Sequence, residues 1–200
     1  MAILLVISIV ALVGIDQLIK FWAVDSLKPK GSIDFIRIGD TEIFDLTYLE
    51  NDGAIFGSMS GQRWYLIGFT ALVIIAGFFL MFRLIKRSKL LNWAIALFLA
   101  GGIGNLIDRI RLGYVVDMFD CRLFDFAIFN FADICVTVAF ALMLIYAFFI
   151  DPKIEKAKKA AKTDEKAAEN AAISVLHFQV NAPMYSVFET SSYNGRYAVS

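Results

Sequence analysis

Four apolar runs, at approximately Ala2–Phe21, Trp64–Leu84, Leu91–Ile107 and Phe131–Ile150, set the first limit on how this chain can fold. A helix needs about 20 apolar residues to cross the roughly 30 Å hydrocarbon core of a bilayer, and each run approaches that length. With 59% hydrophobic and only 19% charged residues, the chain falls outside the roughly 45–50% apolar, 25% charged range of soluble domains. That balance excludes a disordered tail protein, a collagen-like fibre and a disulfide scaffold. The expected fold is an all-α membrane protein with four transmembrane helices.

The first run competes with a cleaved signal peptide. No basic segment precedes it, and Asp16-Gln17 stands where a small-residue cleavage site belongs, so a retained anchor is expected. Four spans put both termini on one side. Arg83, Lys86, Arg87 and Lys89 crowd a connection that carries no acid, which places it in the cytoplasm. Lys20, Lys28, Lys30, Arg37 and Arg63 flank the other long loop, and the lysine-rich stretch Lys153 to Lys166 restores the balance towards cytoplasmic termini. Two outward loops follow, about 22–63 and 108–130. In the first, Ile33–Ile38 and Glu42–Glu50 are rich in β-branched and aromatic residues around Gly39-Asp40, which predicts a small hairpin or sheet. Phe44, Leu46 and Tyr48 fall on one of its faces. The expected organisation is a membrane domain over 1–152 and a cytoplasmic tail over 153–200. Within the tail, 153–172 reads as a solvated helix or a tether to anionic lipid.

The chemistry is narrowed by what is scarce. The single histidine, His177, lies in the polar tail, so a Ser-His-Asp triad, a Cys-His pair and a two-histidine zinc helix are excluded. Carboxylates remain as the acid–base groups. Cys121 and Cys135 are the only cysteines, and no disulfide is expected. Nineteen basic and nineteen acidic residues cancel, so no charge excess points to nucleic acid.

Ionisable groups inside a span cost about 3 kcal/mol each unless they are paired or face water, which makes each one a functional candidate. Asp16, Gln17 and Lys20 end the first span, with Asp16 and Lys20 at the i,i+4 spacing that pairs them on one face; they read as supports or as a surface ion pair. Asn51-Asp52-Gly53-Ala54-Ile55-Phe56 permits a turn that brings backbone amides and the Asn51 side chain to a ligand, although ordinary turns share this composition. The third span ends in Gly101-Gly102-Ile103-Gly104-Asn105-Leu106-Ile107-Asp108-Arg109. Its glycines suit close helix packing, Asn105 could orient a substrate amide, and Arg109 could pair with Asp108 or clamp a carbonyl or carboxylate. Asp117, in Val115-Val116-Asp117-Met118, and Asp133, as the fourth span starts, are each wrapped in apolar neighbours. Two such carboxyls sharing a site cannot both ionise, which is the arrangement of aspartic proteases. Read alone, the pair fits a proton relay or a cation site of a transporter equally well. A noncatalytic lipid-binding chaperone is a third reading. Asp120 and Asp125 compete for the role but read as solvated loop acids.

Taken together, Asp16-Gln17-x-x-Lys20, Asn51-x-Gly53-x-x-Phe56, Gly101-Gly102-Ile103-Gly104-Asn105-x-Ile107-Asp108-Arg109, Val116-Asp117 and Phe129-Asn130-x-Ala132-Asp133 resemble the bacterial lipoprotein signal peptidase family, signal peptidase II. The resemblance runs in order over roughly residues 10–150. It implies a membrane aspartic endopeptidase that cuts diacylglyceryl-modified prolipoproteins just before the lipid-bearing cysteine, in the bacterial inner membrane near its outer face. Asp117 and Asp133 would be the catalytic dyad. Asp16, Lys20, Asn51, Gly53, Asn105, Asp108, Arg109, Asn130 and Ala132 would support it and hold substrate. The resemblance further implies a small periplasmic sheet with an extended loop over the site, and no metal or organic cofactor. The expected partners are the substrate and membrane lipids, and the expected state is a monomer. Met118 departs from the Phe usual after the first aspartate, and the short stretch before Phe129-Asn130 lacks the family's frequent proline.

Overall fold

The computed structural model describes residues 1–53, 61–124 and 126–181. Ala54, Ile55 and Phe56 of the motif that begins at Asn51, Asp125, the side chain of His177 and the tail beyond 181 lie outside the described residues. The chain divides into two compact units, Met1–Phe149 and Ile150–Ser200.

The first unit contains helices α1 (Ala2–Trp22), α2 (Arg63–Arg83), α3 (Lys89–Arg111) and α4 (Phe131–Ile145). Each is long and apolar enough, with its continuation, to cross a membrane. Short turns of π-helix continue α1 over Ala23–Leu27 and α4 over Tyr146–Ile150. Helix α3 packs against the other three and is the most buried of them. Glycine makes this possible: a Cβ at Gly101 would strike the Ala132 carbonyl oxygen of α4, and one at Gly104 would lie 2.5 Å from Asp16 Oδ2 of α1. The outer helices instead expose Ile3, Ile7, Val10 and Leu18 of α1 and Phe69, Leu72, Ile75 and Phe79 of α2. Apolar faces of that extent match hydrocarbon rather than water.

Strands β1 (Ser32–Ile38), β2 (Thr41–Asn51) and β3 (Val115–Cys121) form an antiparallel sheet with β2 in the centre. The predicted hairpin is present, closed by Gly39 at φ +60°, a value the two-residue connection demands and a Cβ would resist. β3 was not anticipated. It joins the second outward loop to the first, and the third span runs on to Arg111 rather than ending at Ile107. The period of two sorts β3 into two faces. Val116 and Met118 are fully buried against Ala23 and Leu27, with Leu46, Tyr48 and Phe119 packed around them. Met118, the residue that departs from the family, therefore belongs to this packed face. Val115 and Asp117 face the opposite way.

The described residues of the second unit include helix α5 (Asp151–Asn181), whose side chains through Asn170 are almost all exposed, as the Ala, Lys and Glu content predicts.

Candidate active site

Val115, Asp117 and Asp133 line one cavity of about 520 Å³, together with Asn51, Asn105, Arg109, residues 126–129 and the α4 side chains Ile134, Val136, Thr137 and Val138. Four elements, β2, β3, α3 and α4, supply the carboxylates and their partners, and each placement has a local cause.

Asp117 is 1% exposed and sits on β3. The register pairs Asn51 with Val115 and Leu49 with Asp117, so Asn51 is the diagonal same-face neighbour of Asp117. Its Nδ2 donates to Asp117 Oδ2 at 2.9 Å, while its Oδ1 accepts from the Gly53 N–H at 3.1 Å. Phe129 bonds back onto the strand through its N–H to Phe119 O and its O to the Met118 and Phe119 N–H groups. That bridge delivers Asn130 beside Asp117, and Asn130 Nδ2 donates to Asp117 Oδ1 at 2.6 Å. Both carboxylate oxygens are thus held. Burial, augmented by the neighbouring Asp133 charge, pushes the Asp117 carboxyl up to about 6 against the lowering effect of these two amides.

Asp133 is the N3 residue of α4. Asn130 is the N-cap: its Oδ1 accepts from the Asp133 N–H at 3.0 Å, and Asp133 Oδ2 accepts from the Asn130 N–H at 3.1 Å, a reciprocal capping box. The second carboxylate oxygen, Oδ1, accepts from Asn105 Nδ2 at 2.8 Å. One helix cap therefore positions both aspartates.

The remaining predicted residues assemble beneath the cavity. Lys20, 3% exposed, donates to Asp16 Oδ2 at 3.0 Å, Asp108 Oδ2 at 2.9 Å and Asn105 Oδ1 at 2.8 Å. Asp16 and Lys20 form a buried network rather than a surface pair. Asp16 Oδ1 accepts from the Ala132 N–H at 3.0 Å, and Asp108 Oδ2 from the Val116 N–H at 3.3 Å. Asn105 lines the cavity, but its amide is engaged by Asp133 and its oxygen by Lys20 and Asn130. It orients the Asp133 carboxylate. Arg109 turns away from a pairing with Asp108 and clamps a carbonyl, Gly53 O, at 2.8 Å. Its buried Nε has no hydrogen-bond partner among the described residues.

Asp120 corrects an expectation. It is 6% exposed, pairs across the sheet with Asp45, accepts from Thr47 Oγ1 and meets Arg122 at 3.3 Å, so it is a sheet residue and not a solvated loop acid. Arg63 was read only as a flanking charge. Its guanidinium donates to the carbonyls of Arg109 and Ile110, both at 2.8 Å, and satisfies orphan acceptors at the end of α3.

The chain as a whole has relatives among known proteins. A family model described as signal peptidase (SPase) II matches residues 8–149. The chain belongs to the signal peptidase II family. The lipoprotein signal peptidase of Streptococcus thermophilus is 40% identical over 139 residues, covering 70% of this chain and 88% of the relative. That of Clostridioides difficile is 38% identical over 151 residues, covering 75% and 98%. Among solved structures, a bacterial membrane enzyme determined by the in meso method at 2.3 Å superposes with a TM-score of 0.62 at 30% identity, covering 74% of this chain and 88% of that one. As a signal peptidase II family member with four spanning helices, the protein is a multi-pass membrane protein. The resemblance drawn from the five sequence motifs is borne out.

Proposed function

We propose that this signal peptidase II is an aspartic endopeptidase that hydrolyses the peptide bond before the diacylglyceryl-modified cysteine of bacterial prolipoproteins. One observation carries the reading: Asp117 and Asp133, from a strand and the helix that follows it, line one cavity and are joined through Asn130. Paired carboxylates with unequal surroundings suit a water-activating base and a proton donor. Asp117, the more buried, carries the proton and donates it to the scissile carbonyl oxygen. Asp133, half-buried on the cavity wall, takes a proton from the attacking water. The tetrahedral intermediate then collapses as the amine leaves with a proton from Asp133, and Asp117 recovers its own. No metal takes part in these steps. The apolar wall of Ile134, Val136 and Val138 on α4 suits a substrate anchored by acyl chains, and confinement to the bilayer reduces the search that brings it in.

The charge pattern supports a bacterial inner-membrane location with cytoplasmic termini: Arg83, Lys86, Arg87 and Lys89 cluster between α2 and α3. The site then lies near the outer face. Asp16, Lys20, Asn51, Gly53, Asn105, Asp108, Arg109, Asn130 and Ala132 are the supporting residues of this reading, and the monomer is its working unit.

The test is incubation of the purified protein in detergent with a diacylglyceryl-modified precursor and with the same precursor carrying an unmodified cysteine. Release of the signal peptide from the modified precursor alone is expected. Equal cleavage of both, or of neither, contradicts the substrate assignment.

A further inference from the structure

Beneath the cavity the charges are arranged as two matched anchors. Asp16, on α1, accepts the N–H of Ala132, the residue immediately before Asp133. Asp108, on α3, accepts the N–H of Val116, the residue immediately before Asp117. Each carboxylate therefore holds the backbone of one member of the dyad, and the separation of the two aspartates depends on how Asp16 and Asp108 are oriented towards each other.

Lys20 bonds both of them, which offsets part of their negative charge in a site where each side chain is no more than 4% exposed. An ammonium is a rotatable point charge and imposes little orientation on a carboxylate. A planar amide does impose it. Gln17 Nε2 donates to Asp16 Oδ2 at 3.2 Å and to Asp108 Oδ1 at 3.0 Å, with Gly104 O at 3.3 Å as a further acceptor. Three acceptors on the inner side require the NH₂ end of the amide there. The outer end agrees, since Gln17 Oε1 accepts from Arg111 Nη1 at 3.3 Å. Gly104 has no room for a Cβ, which brings the α3 backbone against Asp16 and closes the cluster.

We propose that Gln17 is a positioning residue, whose amide bridges the Asp16 and Asp108 carboxylates and so sets the separation of Asp117 and Asp133. This rests on the reading of Asp117 and Asp133 as the catalytic dyad. Gln17 is not among the residues that line the cavity. Losing its bridge misplaces the reacting carboxylates and leaves the substrate-contacting walls as they are, so kcat falls and KM holds.

The experiment measures kcat, KM and their pH dependence for the full-length protein in detergent with a diacylglyceryl-modified precursor. Gln17→Met keeps the length of the side chain and removes both donors; kcat is expected to fall about tenfold or more with KM within about twofold. Gln17→Glu places a carboxylate against Asp16 and Asp108, with Lys20 and Arg111 as the neighbouring cations, and protonation gives it back one donor. Its kcat relative to the parent is expected to be lowest near pH 8 and to recover several-fold towards pH 5.5. The second variant keeps the test decisive if the first does not fold. A folded Gln17→Met enzyme with the parent's kcat, a rise in KM with kcat retained, or a Gln17→Glu enzyme with the parent's pH profile each overturns the proposal. Asp117→Asn and Asp133→Asn in the same assay separate the two claims. Cleavage by either overturns the dyad itself, whereas inactive dyad variants beside parent-like Gln17 variants overturn only the role of Gln17.

Discussion

The side-chain amide of Asn130 donates to Asp117 Oδ1 at 2.6 Å while its backbone N–H donates to Asp133 Oδ2 at 3.1 Å. A single residue thus spans the two carboxylates, and it does so because it is also the N-cap of α4. Capping and positioning are separable. Serine caps helices about as well as asparagine but cannot reach Asp117. Asn130→Ser is expected to melt within a few degrees of the parent and to lose about a hundredfold in kcat, the scale of a misplaced reacting group. Parallel thermal melts and cleavage rates check this; equal losses in both would reduce Asn130 to a cap.

The pH dependence follows from Asp117, whose carboxyl is raised on folding from 3.8 to about 6, chiefly by burial. Between those values the folded protein keeps a proton that the unfolded chain has released. Stability therefore falls as pH rises through that window and levels off above it, by up to about 3 kcal/mol. Asp117→Asn removes the dependence, so the melting temperature of the variant minus that of the parent should increase from pH 4 to pH 7. In turnover, kcat/KM of the parent should decline above about pH 6 as Asp117 loses the proton it donates. A difference in melting temperature that stays flat across this range would contradict the assignment of the raised carboxyl.

Two glycines of α3, on either side of Ile103, make opposite predictions. A Cβ at Gly104 would lie 2.5 Å from Asp16 Oδ2, whereas one at Gly102 meets Ile74 at 3.5 Å, an ordinary contact. Gly104→Ala should disturb the Asp16 anchor, lowering both melting temperature and rate. Gly102→Ala should be neutral or stabilise the helix by roughly 0.5–1 kcal/mol. Thermal melting of the two variants side by side reads the contrast directly.

The spans were legible because twenty apolar residues have few other uses, and the β1–β2 hairpin because Gly39-Asp40 is a local turn signal. β3 was not, since Val115–Cys121 pairs with a strand more distant in the chain and no turn residue announces that pairing. Missing it also misread Asp120, whose burial depends on lying opposite Asp45. Among the site residues, Asp117 and Asp133 stood out as acids in apolar surroundings, and their cavity now gives that signal a place. The work of Asn105, Arg109 and Arg63 was hidden because their partners are a carboxylate or backbone carbonyls of distant segments. Spacing along one helix showed that Asn105, Asp108 and Arg109 were near one another but not which way each turned.

The central claim is that Asp117 and Asp133 act together on one peptide bond. The most direct measurement is the rate of signal-peptide release from a diacylglyceryl-modified precursor by Asp117→Asn and Asp133→Asn, each shown to fold by thermal melting. The account predicts that each substitution alone abolishes release, with the double variant no worse than either. Turnover near the parent's rate in either folded single variant would contradict it.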